Sequence, residues 1–467
     1  MGELHALRIS EMTKGLREKK FSAAEVVEAH FARIHALQPK LNAFLHVDHE
    51  NAMRRAREID AAMRGGEARG SLLGAPLSIK GCIDVAGWPS PAGSLLRKTY
   101  VATGDAPLAA RLRNAGAILI GNTNTPEFLM AYETDNRIAG KTSNPWSLDH
   151  SAGGSSGGEA AAIASGCSSG GVGSDGGGSI RVPAHFCGIC GLKPTPGRIP
   201  ITGHFPEGGG AFGWIGVAGP MARTVADLRA LFSAMAGPDA GDPLSVPIAA
   251  REHVKGELRG MRIGILESDA LGRVTPETAS AVKRAGRLLE SAGFRVEPLR
   301  MRDLERALEL WWFFFGPVIA YLIASAVNGH QDAITPMLRE YLAVAMKREK
   351  PSLDMFLKMC MERDAVRANL MRQMADVPVL LSAVSAGPAF RHGGGSYADG
   401  TGYLDTMRHS QWLNLAGFPG ASVPMRMSEE GLPIGVQVIG RPNEDELVMA
   451  VAEALEEARG EWAQPVL

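Results

Sequence analysis

The chain has 467 residues, 45% of them hydrophobic and 21% charged, the make-up of a globular protein long enough to bury an extensive core, which argues against a disordered or fibrous chain. A formal net charge of −1 and the lack of any long basic run argue against nucleic acid as a primary partner, so a small molecule is expected. Five cysteines (82, 167, 187, 190 and 360) are an odd number for a disulfide framework, and the N-terminus has neither the basic nor the apolar region of a secretory signal, so a reducing, cytoplasmic setting is expected.

Residues 8–64 read as helices. Ser22-Ala23-Ala24-Glu25 has the form of a capping box, and Val26, Val27, Ala29, Phe31 and Ile34 follow at helical spacing. Gly74 to Lys80 is a short apolar run bounded by turn residues, which predicts a strand with Lys80 near its end. A helix over Ala109–Ala115 and a buried strand over Ala117–Gly121 follow, the pattern of an α/β layer. Ala160–Ser165 is helix-forming, which sets Ser155 and Ser156 just ahead of a helix N-terminus. Pro220–Met235 and Thr275–Ala292 read as helices, Met261–Leu266 and Phe294–Val296 as strands. Residues from about 300 to 375 are mostly helical, punctuated by Pro317, Pro336 and Pro351.

Within that segment Leu310–Val327 is eighteen uncharged residues, at the threshold of a membrane span. Gly316-Pro317 interrupts it and no Lys/Arg cluster flanks it, so it reads as a buried or substrate-facing helix pair rather than a span, with a contact for a homodimer as the alternative. Val377–Leu381 and Gly435–Ile439 return to strand patterns before a closing helix, Glu444–Arg459. No linker or repeat divides these parts. The expected organisation is one domain over 1–467, with a helical N-terminal layer (about 1–65), a catalytic core (about 66–235) and a helical insertion (about 300–375).

The densest glycine and serine text lies between Gly153 and Arg198, where the backbone is expected to adopt unusual conformations or to approach other groups closely. Gly153-Gly154-Ser155-Ser156-Gly157 satisfies the G-x-S-x-G pattern of a nucleophile elbow, but the approach, Asn144 to His150, is turn-rich where an elbow needs a strand. Cys187-Gly188-Ile189-Cys190 is a C-x-x-C without a second half, so two small buried residues are expected rather than a metal site. Gly171-Val172-Gly173 and Gly176–Gly178 lack the spacing of a nucleotide-binding loop. Neither a metal nor a cofactor is expected.

Taken together, Pro76–Lys80, Gly121–Glu127, Gly153–Glu159, Ser174–Arg181, Cys187–Pro194, Gly219–Arg223 and Gly431–Gln437 make the chain similar to the amidase signature family over nearly its whole length. The resemblance implies an α/β fold, a large twisted mixed β-sheet core covered by helices on both sides. It also implies hydrolysis of a small-molecule amide through a Ser, cis-Ser, Lys triad and an acyl-serine intermediate. Carried over by position, Ser179 is the nucleophile, Ser155 the bridging serine after a cis peptide and Lys80 the base. A lysine serves as a base near neutral pH only if its surroundings lower its pKa, which the end of an apolar strand can do.

Backbone N–H groups of Gly176, Gly177 and Gly178, with that of Ser179, are expected to form the oxyanion hole. Ser156, Asp175 and Arg181 are expected to support the site, and Leu129 and Met130 to contact substrate. Gly81-Cys82 after the lysine and the Cys187–Cys190 text resemble the fatty-acid amide hydrolase branch more than the glutamyl-tRNA amidotransferase branch. The alternatives are an ammonia-producing glutaminase subunit of that amidotransferase and a catalytically silent binding protein.

Overall fold

The computed structural model describes residues 4–266, 271–347, 350–397 and 402–467. Thirteen strands occur in it: β1 Phe44–Val47, β2 Pro76–Lys80, β3 Ile118–Thr123, β4 Ser143–Asn144, β5 Ser147–Ser151, β6 Gly170–Asp175, β7 Cys190–Lys193, β8 Val217–Ala222, β9 Arg262–Leu266, β10 Arg295–Leu299, β11 Val379–Ala383, β12 Gly420–Met427 and β13 Pro433–Gly440. Eleven of them form one mixed sheet in the order β1-β3-β2-β6-β8-β7-β12-β13-β11-β9-β10, and β4 and β5 pair by themselves. At the heart of the site β2 runs parallel to both β3 and β6, so the C-terminal ends of these three strands share one rim.

Alternation along the strands sends side chains into cores on opposite faces. In β13, Val436 and Val438 join one core with Leu228, Leu231 and Leu447, whereas Ile439 belongs to the other, with Trp311, Phe314 and Trp412. Helices 225–235, 276–291 and 445–459 line the first face. The amphipathic N-terminal helices, Ile9–Arg17, Ala23–Leu41 and His49–Gly65, cover a third cluster beside β3, and the Ser22–Glu25 capping box is formed, with Glu25 N–H donating to Ser22 Oγ at 3.1 Å.

Two elements depart from the sequence reading, and a third has no assignment in it. Phe44–Val47 is an edge strand, antiparallel to β3, inside the stretch read as helical. Val217–Ala222 is strand β8 and its helix begins only at Val225; a short run buried on both sides has no periodicity to tell strand from helix, and Pro220 sits opposite Val172 in mid-sheet. The glycine-rich Gly170–Asp175 is β6, near the middle of the sheet, where it needs room more than side chains.

The apolar segment is a helix from Leu304 to Phe313, a π-turn at Phe314–Val318 containing Pro317, and a helix from Ile319 to Ala326. Leu304–Ala326 is the one stretch among the described residues long and apolar enough to cross a membrane. Most of it packs inside the protein, with Leu310, Trp311, Phe314 and Phe315 buried, while Tyr321 and Leu322 are exposed. Helices 336–345 and 353–373 complete the insertion; residues 348 and 349, within the expected helical stretch, lie outside the described residues.

Candidate active site

Lys80 ends β2, fully buried, and its Nζ lies 2.7 Å from Ser155 Oγ, 3.0 Å from Ser174 Oγ and 3.3 Å from the Ser174 carbonyl. Burial lowers its pKa to about 8 against the partial restoring effect of Cys82, Asp175 and Glu159. Ser155 follows a cis peptide after Gly154 and lies two residues ahead of the helix Gly157–Ala164, whose N-cap is Ser156. A Cβ on Gly154 would sit 2.6 Å from the Ala131 carbonyl and 2.8 Å from the Tyr132 carbonyl carbon, so only glycine fits there.

Ser179 lies in the turn between β6 and the helix Arg181–Cys187, and at 9% exposure it is the most open of the three, against 0% for Lys80 and 1% for Ser155. Its carbonyl accepts from Ser156 N–H at 3.2 Å, while Ser156 Oγ lies 3.3 Å from both the N–H and the carbonyl of Ser174, so Ser156 fastens the two segments to each other. Ser155, Ser174 and Ser179 open on one narrow pocket with Leu129, Met130, His204, Phe212 and Phe315, a cavity of about 20 Å³. That is space for roughly one water.

Asp175 organises the turn. Its carboxylate accepts from the N–H groups of Gly178 (2.7 Å) and Ile180 (3.0 Å), from Arg181 Nε (3.1 Å) and Nη2 (3.0 Å), and from Asn414 Nδ2 (2.9 Å). Burial opposes its charge, but the Arg181 guanidinium outweighs that and holds the carboxyl well below the usual carboxylate range. Arg181 is completed by the side-chain oxygens of Gln437 at 3.0 Å and Asn414 at 2.7 Å.

The expected set of oxyanion donors needs one correction: the Gly178 N–H is spent on Asp175 and is not free for a substrate. Trp311 Nε1 donates to the Gly176 carbonyl at 2.8 Å and Tyr132 Oη to the Gly177 carbonyl at 2.9 Å. In a trans peptide the C=O and the following N–H point opposite ways, so the first bond turns the Gly177 N–H away from Trp311 and the second turns the Gly178 N–H toward Asp175. Among the described hydrogen bonds none uses the N–H of Gly176, Gly177 or Ser179, and Gly176 lines the pocket. Gly178 has φ of +126°, and a Cβ on Gly177 would fall 2.5 Å from the Trp311 ring, whereas one on Gly176 would meet nothing closer than Phe315 at 3.6 Å.

A family model described as Amidase matches residues 25–449. The chain belongs to the amidase family. It is 33% identical to an acylamidase of Rhodococcus erythropolis, covering 98% of this chain and 97% of the relative, and 31% identical to a glutamyl-tRNA(Gln) amidotransferase subunit of Carboxydothermus hydrogenoformans, covering 97% and 98%. Among solved structures, 6-aminohexanoate cyclic dimer hydrolase in complex with its substrate superposes with a TM-score of 0.88 at 28% identity over 99% of both chains. This amidase is therefore a hydrolase of carbon–nitrogen bonds, and its large mixed sheet surrounded by helices is the fold that the resemblance implied.

Lys80, Ser155, Ser156, Asp175, Ser179 and Arg181 are drawn together around the pocket and its supporting network, and Leu129 and Met130 form part of its wall. Missed from the amidase sequence were Ser174, Tyr132, Trp311, Asn414, Gln437 and His204. Ser174, within the Ser174–Arg181 text, and Gln437, at the end of the Gly431–Gln437 text, had a local signal; the others arrive from remote parts of the chain. Cys187 and Cys190 are buried free thiols, and no group of three or more potential metal ligands occurs among the described residues.

Proposed function

We propose that this chain hydrolyses a small carboxamide, acyl amide or aryl amide to a carboxylate and an amine or ammonia through an acyl-Ser179 intermediate. The observation that carries this reading is a buried amine, lowered to about 8, held 2.7 Å from Ser155 Oγ beside a serine that opens on the pocket. A neutral Lys80 keeps two N–H donors for Ser174 and offers its lone pair to the Ser155 hydroxyl. As Ser179 Oγ attacks the substrate carbonyl, its proton passes to Ser155 and that of Ser155 to Lys80. The oxyanion falls to the N–H groups of Gly176, Gly177 and Ser179. On collapse the proton returns by the same path to the leaving nitrogen, and water then repeats the attack on the acyl-enzyme, releasing the carboxylate.

Leu129, Met130, Phe212 and Phe315 favour a slender apolar acyl or aryl group next to the scissile bond. Two tests apply. A fluorophosphonate probe is expected to add to the protein, the adduct mapping by peptide mass spectrometry to Ser179. A panel of linear, aryl and peptide amides, read by mass spectrometry, is expected to yield at least one carboxylate. No adduct and no product from any amide would refute the reading.

The likeness to the amidotransferase protein supports a second reading, a glutaminase that passes ammonia to a partner. Release of ammonia from glutamine only when a stoichiometric partner chain is bound would favour it.

Trp311→Phe keeps a ring against Phe315, whose centroid lies 4.7 Å away, and removes the N–H that turns the Gly176–Gly177 peptide. It is expected to lower kcat on the best amide of the panel about tenfold or more, with KM little changed. An unchanged kcat would contradict this placing of Trp311.

A further inference from the structure

One buried carboxyl close to the lysine takes no part in the steps above. Glu159 stands in the first turn of the helix Gly157–Ala164 with no exposed surface, and it points back toward the sheet. Ser78 Oγ donates to its Oε1 at 2.5 Å and Thr123 Oγ1 donates to its Oε2 at 2.8 Å. Ser78 precedes Lys80 by two residues on β2 and so shares its face, while Thr123 is the register partner of Lys80 on β3. Room for the carboxyl comes from β6, where a Cβ on Gly171 would lie 1.9 Å from Glu159 Oε1. Three strands thus build a socket for one carboxylate beside the lysine.

Four titratable groups face Lys80 from the elements around it. Cys82 follows β2, Asp175 ends β6, His204 comes from the loop that carries the cis Phe205–Pro206 bond, and Glu159 comes from the helix. Burial pushes the Cys82 thiol up to about 11 and the His204 imidazole down to about 4, so both are uncharged where the amine titrates. His204 Nδ1 donates to the Pro206 carbonyl at 2.8 Å, leaving Nε2 to accept from the Cys82 thiol at 3.5 Å. Asp175 is charged, but it is matched by the guanidinium of Arg181. Among the described residues Glu159 forms no ion pair with any arginine, and Lys80 is the one charged group that acts on it.

We propose that Glu159 is a positioning residue for the base: its carboxylate, gripped by Ser78 and Thr123, is the counter-charge against which Lys80 takes up and releases its proton. This rests on the reading of Lys80 as the base. Burial pushes Glu159 up to about 8, the region in which Lys80 titrates, so the two groups release their protons as a coupled pair. When a single proton is shared, its place on Glu159 leaves the amine free without changing the net charge of the pocket. When Glu159 is ionised, it holds the proton on Lys80.

The test is the second-order rate constant for fluorophosphonate labelling of Ser179 against pH, in the wild type, Glu159→Gln and Thr123→Val. The wild-type rate is expected to rise through about pH 8. Glu159→Gln removes the counter-charge, so its rise is expected about one unit lower in pH. Thr123→Val keeps the carboxyl but removes one donor to its charged form, and is expected to move the rise the same way by less, which keeps the test available if Glu159→Gln does not fold. A packing role alone would lower the plateau and leave the position of the rise untouched. A rise that stays in place in the folded variants, or moves to higher pH, overturns this inference alone. A wild type that never labels at Ser179 overturns both this inference and the triad beneath it.

Discussion

Ser179→Ala is expected to erase the fluorophosphonate adduct and to lower kcat by on the order of 10⁶-fold, the loss seen when a serine hydrolase is deprived of its nucleophile. The fold should survive, because the Ser179 side chain makes no hydrogen bond among the described residues and faces the pocket; only its carbonyl is used, by Ser156. Alanine preserves that carbonyl. Intact-mass measurement after labelling, together with turnover of the best amide, checks the prediction. An adduct that persists on the variant would place the nucleophile elsewhere, and Ser155, next in line along the hydrogen-bond path from Lys80, would be the first candidate.

Arg181→Met is expected to cost about 3–5 kcal/mol of folding stability, because it strands the Asp175 carboxylate in a dry site. Both side chains of the pair have no exposed surface, and the guanidinium also holds Gln437 and Asn414, so no water can take over its bonds. Urea unfolding of the two proteins measures the loss. The pH dependence has a definite sign. Asp175 has a folded pKa below its unfolded value, so its contribution is present in full above the ordinary carboxylate range, about pH 4, and fades as the solution is acidified toward the folded value. Without the arginine the buried carboxyl prefers its proton. The gap between wild type and Arg181→Met should therefore narrow on acidification, whereas equal midpoints at neutral pH would show that the pair adds nothing.

Much of the site could be read from the chain because its chemistry is carried by contiguous text. The run Gly74–Lys80 has the length and flanking turns of a buried strand, and it is one, with Lys80 at its end. Gly153, Gly154 and Gly158 near Ser155 and Gly177 near Ser179 stand where a Cβ would collide with backbone or ring, and such crowding leaves a local mark in the sequence. Features made by tertiary meetings leave none. Trp311 was legible as part of an apolar helix, but its bond to the Gly176 carbonyl joins residues 135 positions apart. Asn414 and Gln437 reach Arg181 across still longer separations.

In β6 and β8 the strand is buried on both faces and small residues make space for neighbours, so neither alternation nor β-branched residues announce it. Gly178 was grouped with its neighbours as a donor to the oxyanion, yet its N–H is turned to Asp175 by the bond that Tyr132 makes to the preceding carbonyl. Neighbouring glycines thus differ in use according to which remote side chain holds each peptide plane.

Whether Lys80 is the base can be decided by following acylation of Ser179 as a function of pH in the wild type and in Lys80→Ala. The wild-type rate should climb through about pH 8 and then level off as the amine loses its proton, and the small residual rate of Lys80→Ala should show no such climb. A Lys80→Ala protein that keeps the wild-type climb, or a wild-type rate that is flat from about pH 6 to about pH 10, would contradict the assignment.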